Sequence, residues 1–373
     1  MMLNKLREEI DQIDLQLKEL FEQRMKVSEK VAACKAQTGD KILKHEREVQ
    51  VITQLTKGME EELKLEFTSF IKKMMEVSRT HQYRKLLKIN NKFQLAYSKE
   101  EPSINKVCYQ GLPCSYSEIA AVNLFDHCEN YSVTTFEDVF LEINRGNADI
   151  GIVPLENTTA GSINEVYDLL VKYHLFINYS YITKVEHCLA GIKEAVLENI
   201  KEVYSHPQAI SQSIEFLKAR GMIAKESSNT AVAAKFISEQ ENPSYGAVCS
   251  KEAADRYGLR ILEEGINHNK ENATKFVAIS KKLLVKENHN RITMVFACPH
   301  RSGSLASVLG IFGDYGVNLT EIHSRPDGKN PWEYLFYVDF TGNLMDENIK
   351  ALFFQLEEEL PFMKILGSYE SKQ

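Results

Sequence analysis

GIVPLENTTAGSINEVYDLL, residues 151–170, changes character twice. Its apolar start closes at Val153-Pro154 and reads as a buried strand. Glu156-Asn157-Thr158 follow as a polar loop, and Gly161-Ser162 then opens a helical pattern whose free N–H groups favour an anion. The same stretch also reads as an ordinary strand-to-helix connection with Ser162 as N-cap. Outward from it, 106–109, 150–153, 202–204, 245–248 and 275–280 read as buried strands. Helical patterns near 115–126, 136–145, 162–173, 207–219, 229–239 and 250–257 lie between them. This alternation predicts an α/β body of two lobes, with ligands held in loops beyond the strand ends.

The chain before this body has another composition. All nine prolines lie at or after Pro102, and only Gly39 and Gly58 of the 18 glycines come earlier. Residues 1–93 carry 19 Lys+Arg against 15 Asp+Glu, whereas the rest carries 26 against 37. An all-helical, slightly basic module therefore precedes an acidic body, with 98–105 (SKEEPSIN) as linker. Leu3, Leu6, Ile10, Ile13, Leu17 and Leu20 form a heptad stripe that continues through Val27, Val31 and Cys34. A helix of about 35 residues would be about 50 Å long. Too long to bury its stripe inside so small a module, it predicts an intertwined helical dimer. Shorter helices are expected near 45–57 and 62–87. On the stripe, Arg24 stands where an apolar residue belongs, and a buried guanidinium needs an anion or acceptors. Lys35 lies further along and Arg7 beside the stripe, while Ser78 and Gln82 interrupt the Ile71–Met74 row. Interior salt bridges or a bound anion would each explain this set.

After a joint at 281–290 (KKLLVKENHN), strand and helix patterns at 292–298, 303–315, 317–324, 333–340, 345–358 and 362–368 give the order β-α-β-β-α-β. That is the ferredoxin-like arrangement, with a Pro-Asp-Gly turn at 326–328. The net charge of −7 makes nucleic acid or an anionic membrane a poor partner. Apolar residues are 43 % and charged ones 26 %, which excludes general disorder. There is no apolar run long enough to span a bilayer and no secretory h-region at the start. Seven scattered cysteines without ligand spacing read as free thiols of a cytoplasmic protein. No nucleotide-loop or HExxH motif is present, so neither cofactor nor metal is expected; a metal role for His206 is weaker than a hydrogen-bonding one.

Three resemblances organise these modules. LREEI (6–10), EQRMKVSEKVAACK (22–35), ERE (46–48) and EVSRTHQ (76–82) resemble the all-helical chorismate mutases. The resemblance implies that Arg7, Arg24 and Arg47 hold the two substrate carboxylates, with Arg7 reaching into the partner's site. It further implies that Lys35 and Gln82 serve the ether oxygen, Glu48 the substrate hydroxyl and Ser78 a carboxylate. Lys44 departs from the family's aspartate. A Claisen rearrangement loads negative charge on the ether oxygen, so fixed donors there act on the transition state.

GLPCSYSEIAA (111–121), the string at 151–170, SHPQAISQS (205–213), SSNTAVAAK (227–235), CSKEAADRYGL (249–259) and NATKF (272–276) resemble prephenate dehydratase. This implies a two-lobed, periplasmic-binding-protein-like α/β domain with the site between its lobes. Thr274 would stand nearest the departing hydroxyl, with Glu156 as the candidate proton source. Ser115, Asn157, Thr158, Ser162, Ser205, Gln212 and Lys275 would bind prephenate. Lys275 replaces an arginine and Cys114 a glycine of the family.

GSLASVLGIFGDYGVNLTEIHSRP (303–326) and PWEYLFYVDFTG (331–342) resemble the ACT domain, a regulatory module. It implies phenylalanine held between two subunits by Gly303, Ser304, Leu305, Asn318, Leu319 and Ser324. Ser304 and His323 replace the family's alanine and glutamate. The chain is thus expected to be multidomain: an all-α mutase at 1–93, the α/β dehydratase at 105–282 and an α+β ACT domain at 291–373. It resembles the bifunctional chorismate mutase–prephenate dehydratases of phenylalanine biosynthesis, as a homodimer or higher homo-oligomer. A dehydratase preferring arogenate and a non-catalytic amino-acid sensor are the alternatives.

Overall fold

A computed structural model describes residues 2–90, 93–327 and 334–371. They fall into two compact units, Met1–Ala96 with Arg291–Ile365 and Tyr97–Asn290 with Leu366–Gln373.

The first unit opens with α1 (Met2–Thr38), α2 (His45–Leu55) and α3 (Glu61–Asn90). Gly39 and Gly58 adopt positive φ at the two breaks, as helix-ending glycines do. Of α1 only Ser28 and Ala32 are buried. Its heptad leucines and isoleucines are exposed in the single chain, Leu20 at 60 % and Ile10 at 56 %.

The second unit starts with β1 (Lys106–Gln110), α4 (Tyr116–Leu124), β2 (Glu129–Val133), α5 (Phe136–Arg145), β3 (Ile150–Asn157), β4 (Gly161–Ser162), α6 (Asn164–Tyr173) and β5 (Phe176–Lys184). The chain then crosses to a second lobe of β6 (Cys188–Gly191), β7 (Glu202–Ser205), α7 (Pro207–Gln212), α8 (Ile214–Ala219), β8 (Ile223–Glu226), α9 (Thr230–Ser238), β9 (Tyr245–Cys249), α10 (Lys251–Arg256) and β10 (Arg260–Glu263). β11 (Ala273–Ser280) returns to the first lobe. The first sheet has the order β5-β11-β3-β1-β2 and the second β10-β6-β9-β7-β8. Gly151 explains one tight contact: a Cβ there would lie 2.4 Å from Val139 and 2.7 Å from Ile143, so its absence lets α5 close on β3.

The first unit resumes with β12 (Arg291–Ala297), α11 (Ser304–Asp314), β13 (Leu319–Pro326), β14 (Tyr334–Thr341), α12 (Glu347–Glu359) and the start of β15 (Phe362–Tyr369), whose residues from Leu366 on belong to the second unit. The order is β-α-β-β-α-β, with β14 between β13 and β12. The Pro-Asp-Gly turn runs into 328–333, outside the described residues. α3 packs on α12 within this unit: Tyr83, and Phe93 beyond the helix end, meet Phe354 at ring separations of 5.3 and 5.9 Å.

Several expectations change. β2, β5, β6, β8 and β10 have no sharp sequence pattern, being short or set on a mixed face. β3 continues through Asn157, so Glu156 and Asn157 belong to the strand rather than a loop. Gly161-Ser162 pairs back on Glu156-Asn157 instead of opening the helix. α6 begins at Asn164 after Ile163, so Ser162 is not its N-cap. The 207–219 helix breaks at Ser213 into α7 and α8. The expected linker and joint are also ordered against each other: Ser98 N–H donates to Leu283 O at 2.8 Å and Val285 N–H to Ser98 O at 2.9 Å. Leu283, Leu284 and Val285 are buried, which anchors that stretch in the core.

Candidate functional site

In the helical part, α1 and α3 run parallel with a fixed register. Arg24 Nη1 approaches Met74 O at 3.5 Å, and one turn on, Ser28 and Ser78 hydroxyls meet at 2.7 Å. A further turn brings Ala32, buried with no exposed surface, level with Gln82. Gln82 is buried, and its Oε1 has no hydrogen-bond partner among the described residues. Lys35 donates to Ile42 O at 2.9 Å. Burial lowers the Arg24 pKa. Burial, then the Lys44 charge, lowers that of Lys35. Arg24, Ser78, Gln82 and Lys35 thus follow one strip along the helix pair. Arg24 also lines an apolar groove with Leu17, Leu20, Phe21, Phe70 and Met74. Arg7 and Arg47 are exposed and the single chain does not bring them to that groove. Glu48, on α2, is bound by Arg79.

In the second unit, a cavity of about 250 Å³ lies over the ends of β3 and β11. Thr274 and Asn157 are register partners there. Asn157 Nδ2 donates to Thr274 Oγ1 and Asn272 Oδ1, each at 2.9 Å, and its Oδ1 receives the N–H groups of Thr159 and Ala160 at 3.0 and 2.9 Å. With its oxygen already accepting from Asn157, the Thr274 hydroxyl keeps its own proton to donate. Gln212 Oε1 receives His187 Nε2 and Asn272 Nδ2, both at 3.0 Å. Its buried Nε2 has no partner among the described residues and remains a donor for a ligand. Burial lowers the His187 pKa, which keeps the ring neutral near pH 7.

The cavity wall is built from helix beginnings. Ser115, Tyr116 and Ser117 start α4, Ile163 precedes α6, His206 and Gln208 start α7, and Asn229 and Thr230 start α9. Ser115, His206 and Asn229 cap their helices through their side chains. Among the described residues the lining contains neither Lys nor Arg and neither Asp nor Glu. Negative charge in it would be met by helix N-termini, amides and hydroxyls.

This corrects part of the expected set. Pro154 pairs with Phe276, and Lys275 with Glu156, across a bulge in β3 and β11. Phe276, Pro154, Asn157 and Thr274 line the cavity. The alternation of side chains therefore puts Glu156 and Lys275 on the opposite face. Lys275 Nζ lies 5.3 Å from the Tyr369 ring centre, away from the cavity. Thr158 ties the loop to β11 by accepting Ala273 N–H at 3.0 Å, and Ser205 donates to Val248 O at 2.6 Å with no exposed surface. Ser162 lies on β4, outside the lining. Ser115, Asn157, Gln212 and Thr274 are brought together. Sequence reasoning missed Tyr116, His187, Asn229 and Asn272. His187 sits in the short crossing from β5 to β6, beside Glu186, where a lone histidine carries no signal. Cys114 adopts φ 66°, which accounts for a glycine in the related motif.

In the C-terminal module, Gly303 has φ +79° and starts α11. Gly303 and Ser304 border a cavity of about 340 Å³ shared with Glu48, Arg79 and Glu359. The Ser304 hydroxyl is buried without a partner among the described residues. Leu305, Asn318, Leu319 and Ser324 do not line this cavity. His323 stacks on Tyr337 with ring centres 5.0 Å apart. Among the described residues no group of His, Cys, Asp or Glu is placed to hold a metal, and no helix is long and apolar enough to cross a membrane.

Family profiles match in order: Chorismate mutase type II over residues 6–83, Prephenate dehydratase over 107–283 and the ACT domain over 292–358. A bifunctional chorismate mutase/prephenate dehydratase of Aquifex aeolicus is 30% identical over 370 residues, covering 98% of this chain and 97% of that protein. Arogenate dehydratase/prephenate dehydratase 2 of Arabidopsis thaliana is 33% identical over 287 residues, covering 74% and 75%. The crystal structure of prephenate dehydratase from Arthrobacter aurescens in complex with L-Phe superposes with a TM-score of 0.67 at 25% identity, over 71% of this chain and 90% of that one.

Proposed function

The chain belongs to the bifunctional chorismate mutase/prephenate dehydratase family and carries both activities in phenylalanine biosynthesis, and from that premise we propose how its residues divide the work. The observation that carries the reading is the Asn157–Thr274 pair in a cavity walled by helix N-termini. Prephenate loses its ring carboxylate as CO2 while the C–CO2 electron pair moves into the ring and expels the hydroxyl. That hydroxyl leaves as water only if it gains a proton. The Thr274 O–H, oriented by Asn157, donates toward it. The proton itself is drawn from solvent water and relayed through the Thr274 hydroxyl, because the alternation of β3 leaves Glu156 off the cavity lining. The two carboxylates of prephenate are held by the starts of α4 and α9 and by the free Gln212 amide.

In the helical module, Lys35 and Gln82 meet the ether oxygen of chorismate, Arg24 and Ser78 a carboxylate, and Glu48 the ring hydroxyl. Arg7 and Arg47 complete the pocket once two chains combine, with Arg7 crossing to the partner. The exposed stripe of α1 supplies the surface for that homodimer. Leu20→Glu should leave the single chain folded but place a charge in the apolar seam. We expect monomers by sedimentation and a mutase rate lower by ~10-fold or more, because the shared pocket is then incomplete. A monomer with full mutase activity would sink the dimer reading.

Phenylalanine is the effector, taken up by the ACT module at Gly303, Ser304, Leu305, Asn318, Leu319 and Ser324 and held between two subunits. Allosteric feedback follows if it binds one arrangement of the chain better than another. Titrating phenylalanine against both rates tests this; no binding or inhibition at millimolar ligand would refute it.

Supplying chorismate alone tests the whole assignment. Prephenate should form first and phenylpyruvate after it, both followed by absorbance. Arogenate offered beside prephenate should turn over more slowly. Its ammonium would enter a cavity whose lining has no carboxylate to receive it.

A further inference from the structure

Arg79 lies in the EVSRTHQ stretch but has no part in the expected pocket. It directly follows Ser78, whose hydroxyl faces Ser28. Its side chain is only 12 % exposed. One end, Nη1, holds Glu48 Oε1 on α2. Its Nε donates to Glu359 Oε1 on α12 at 3.1 Å, and that carboxylate is 6 % exposed. The anchor on α12 is itself braced. Gln355 Nε2 donates to the same Glu359 oxygen at 3.2 Å, and Gln355 Oε1 receives Thr80 and Tyr315 hydroxyls at 3.2 and 3.1 Å. Burial works against the Arg79 charge, but the carboxylates of Glu359 and Glu48 more than offset it and raise its pKa. Burial raises the Glu359 pKa, with Arg79 opposing. One guanidinium therefore fixes two carboxylates from different modules of the same unit.

We propose that Arg79 is a positioning residue of the mutase reaction: it aims the Glu48 carboxylate at the substrate hydroxyl and ties it to Glu359 of the C-terminal module. The inference rests on the reading of Glu48 as the group that takes that hydroxyl. With Oε1 held by Arg79, Oε2 is left to accept from the substrate in one orientation. A planar fork that binds two acids at once suits this task, whereas lysine supplies charge without the fork. The tie also makes the mutase geometry depend on where α12 stands.

The test is a double-mutant cycle of Glu48→Ala and Arg79→Gln in the full chain, reading chorismate KM and kcat separately. Glu48→Ala should raise KM by ~10-fold or more, and Arg79→Gln should raise it comparably while kcat moves by less than ~3-fold. The double variant should be no worse than Glu48→Ala alone within ~2-fold, since Arg79 acts through Glu48. Arg79→Lys should recover part of the loss. Glu359→Gln should raise KM by ~2- to 5-fold with unchanged dehydratase turnover, which also serves as the folding control. Wild-type KM in Arg79→Gln, or losses that multiply in the double variant, would overturn the role of Arg79. Wild-type KM in Glu359→Gln would overturn the tie. Wild-type KM in Glu48→Ala would instead strike the Glu48 reading. If Arg79→Gln does not fold, the cycle with Arg79→Lys decides the same question.

Discussion

Thr274→Val is expected to abolish phenylpyruvate formation, lowering dehydratase turnover by ~100-fold or more, while chorismate consumption stays unchanged. Valine keeps the shape of threonine and removes only the hydroxyl. Asn157 retains Asn272 Oδ1 at 2.9 Å and Ala273 O at 3.1 Å as acceptors, so the surrounding network survives. What is lost is the donor facing the departing hydroxyl. Hydroxide is then a poor leaving group in a cavity whose lining, among the described residues, offers no Asp, Glu, Lys or Arg. Thr274→Ser keeps the donor and should keep most of the turnover. Phenylpyruvate absorbance reads both variants, and wild-type turnover in Thr274→Val would end the assignment.

Lys35→Ala should have the complementary effect: mutase turnover lower by ~100- to 1000-fold, with prephenate still dehydrated at the normal rate. The ammonium is preorganised by Ile42 O at 2.9 Å and partly withdrawn from water. Its charge is wanted only as the ether oxygen becomes anionic, so its removal should fall on kcat. A pH profile follows from the same site. The Lys35 pKa is lowered, by burial first and by Lys44 next. Mutase activity needs the protonated form, so it is full below this lowered pKa and falls as pH rises through it. The alkaline limb should therefore start below the ordinary lysine range, and Lys44→Ala should move it upward. Unchanged chorismate turnover in Lys35→Ala would refute the role.

The helical module was legible because a heptad stripe is a strong periodic signal and Arg24 is out of place on it. The ferredoxin-like order at the C-terminus was legible from the switching of strand and helix patterns along the chain. β3 was only half read. Pro154 signals a strand end, since it has no N–H for a ladder. Here β1 stops pairing at Ile152, and a bulge opposite β11 takes up the irregularity, so the strand runs on to Asn157. That bulge decides which side chains face the cavity. It turned Glu156 away and brought Asn157 in, which no motif could reveal, because register is a property of two strands. His187, Gln212 and Asn272 come from three separate segments and meet only in the folded lobes. Their joint contribution is invisible in any one stretch. Ser205 shows the converse: a polar residue after a strand that serves Val248 O rather than a ligand.

The cavity ringed by the starts of four helices has a bearing on how the enzyme empties. Prephenate arrives as a dianion, and chemistry converts one of its anionic groups into neutral gas. Phenylpyruvate is left with a single charge. If helix starts and amides hold both carboxylates, as proposed, the bond cleavage itself removes one of the two groups they grip, and the flat aromatic ring that remains has less to hold it than the molecule that came in.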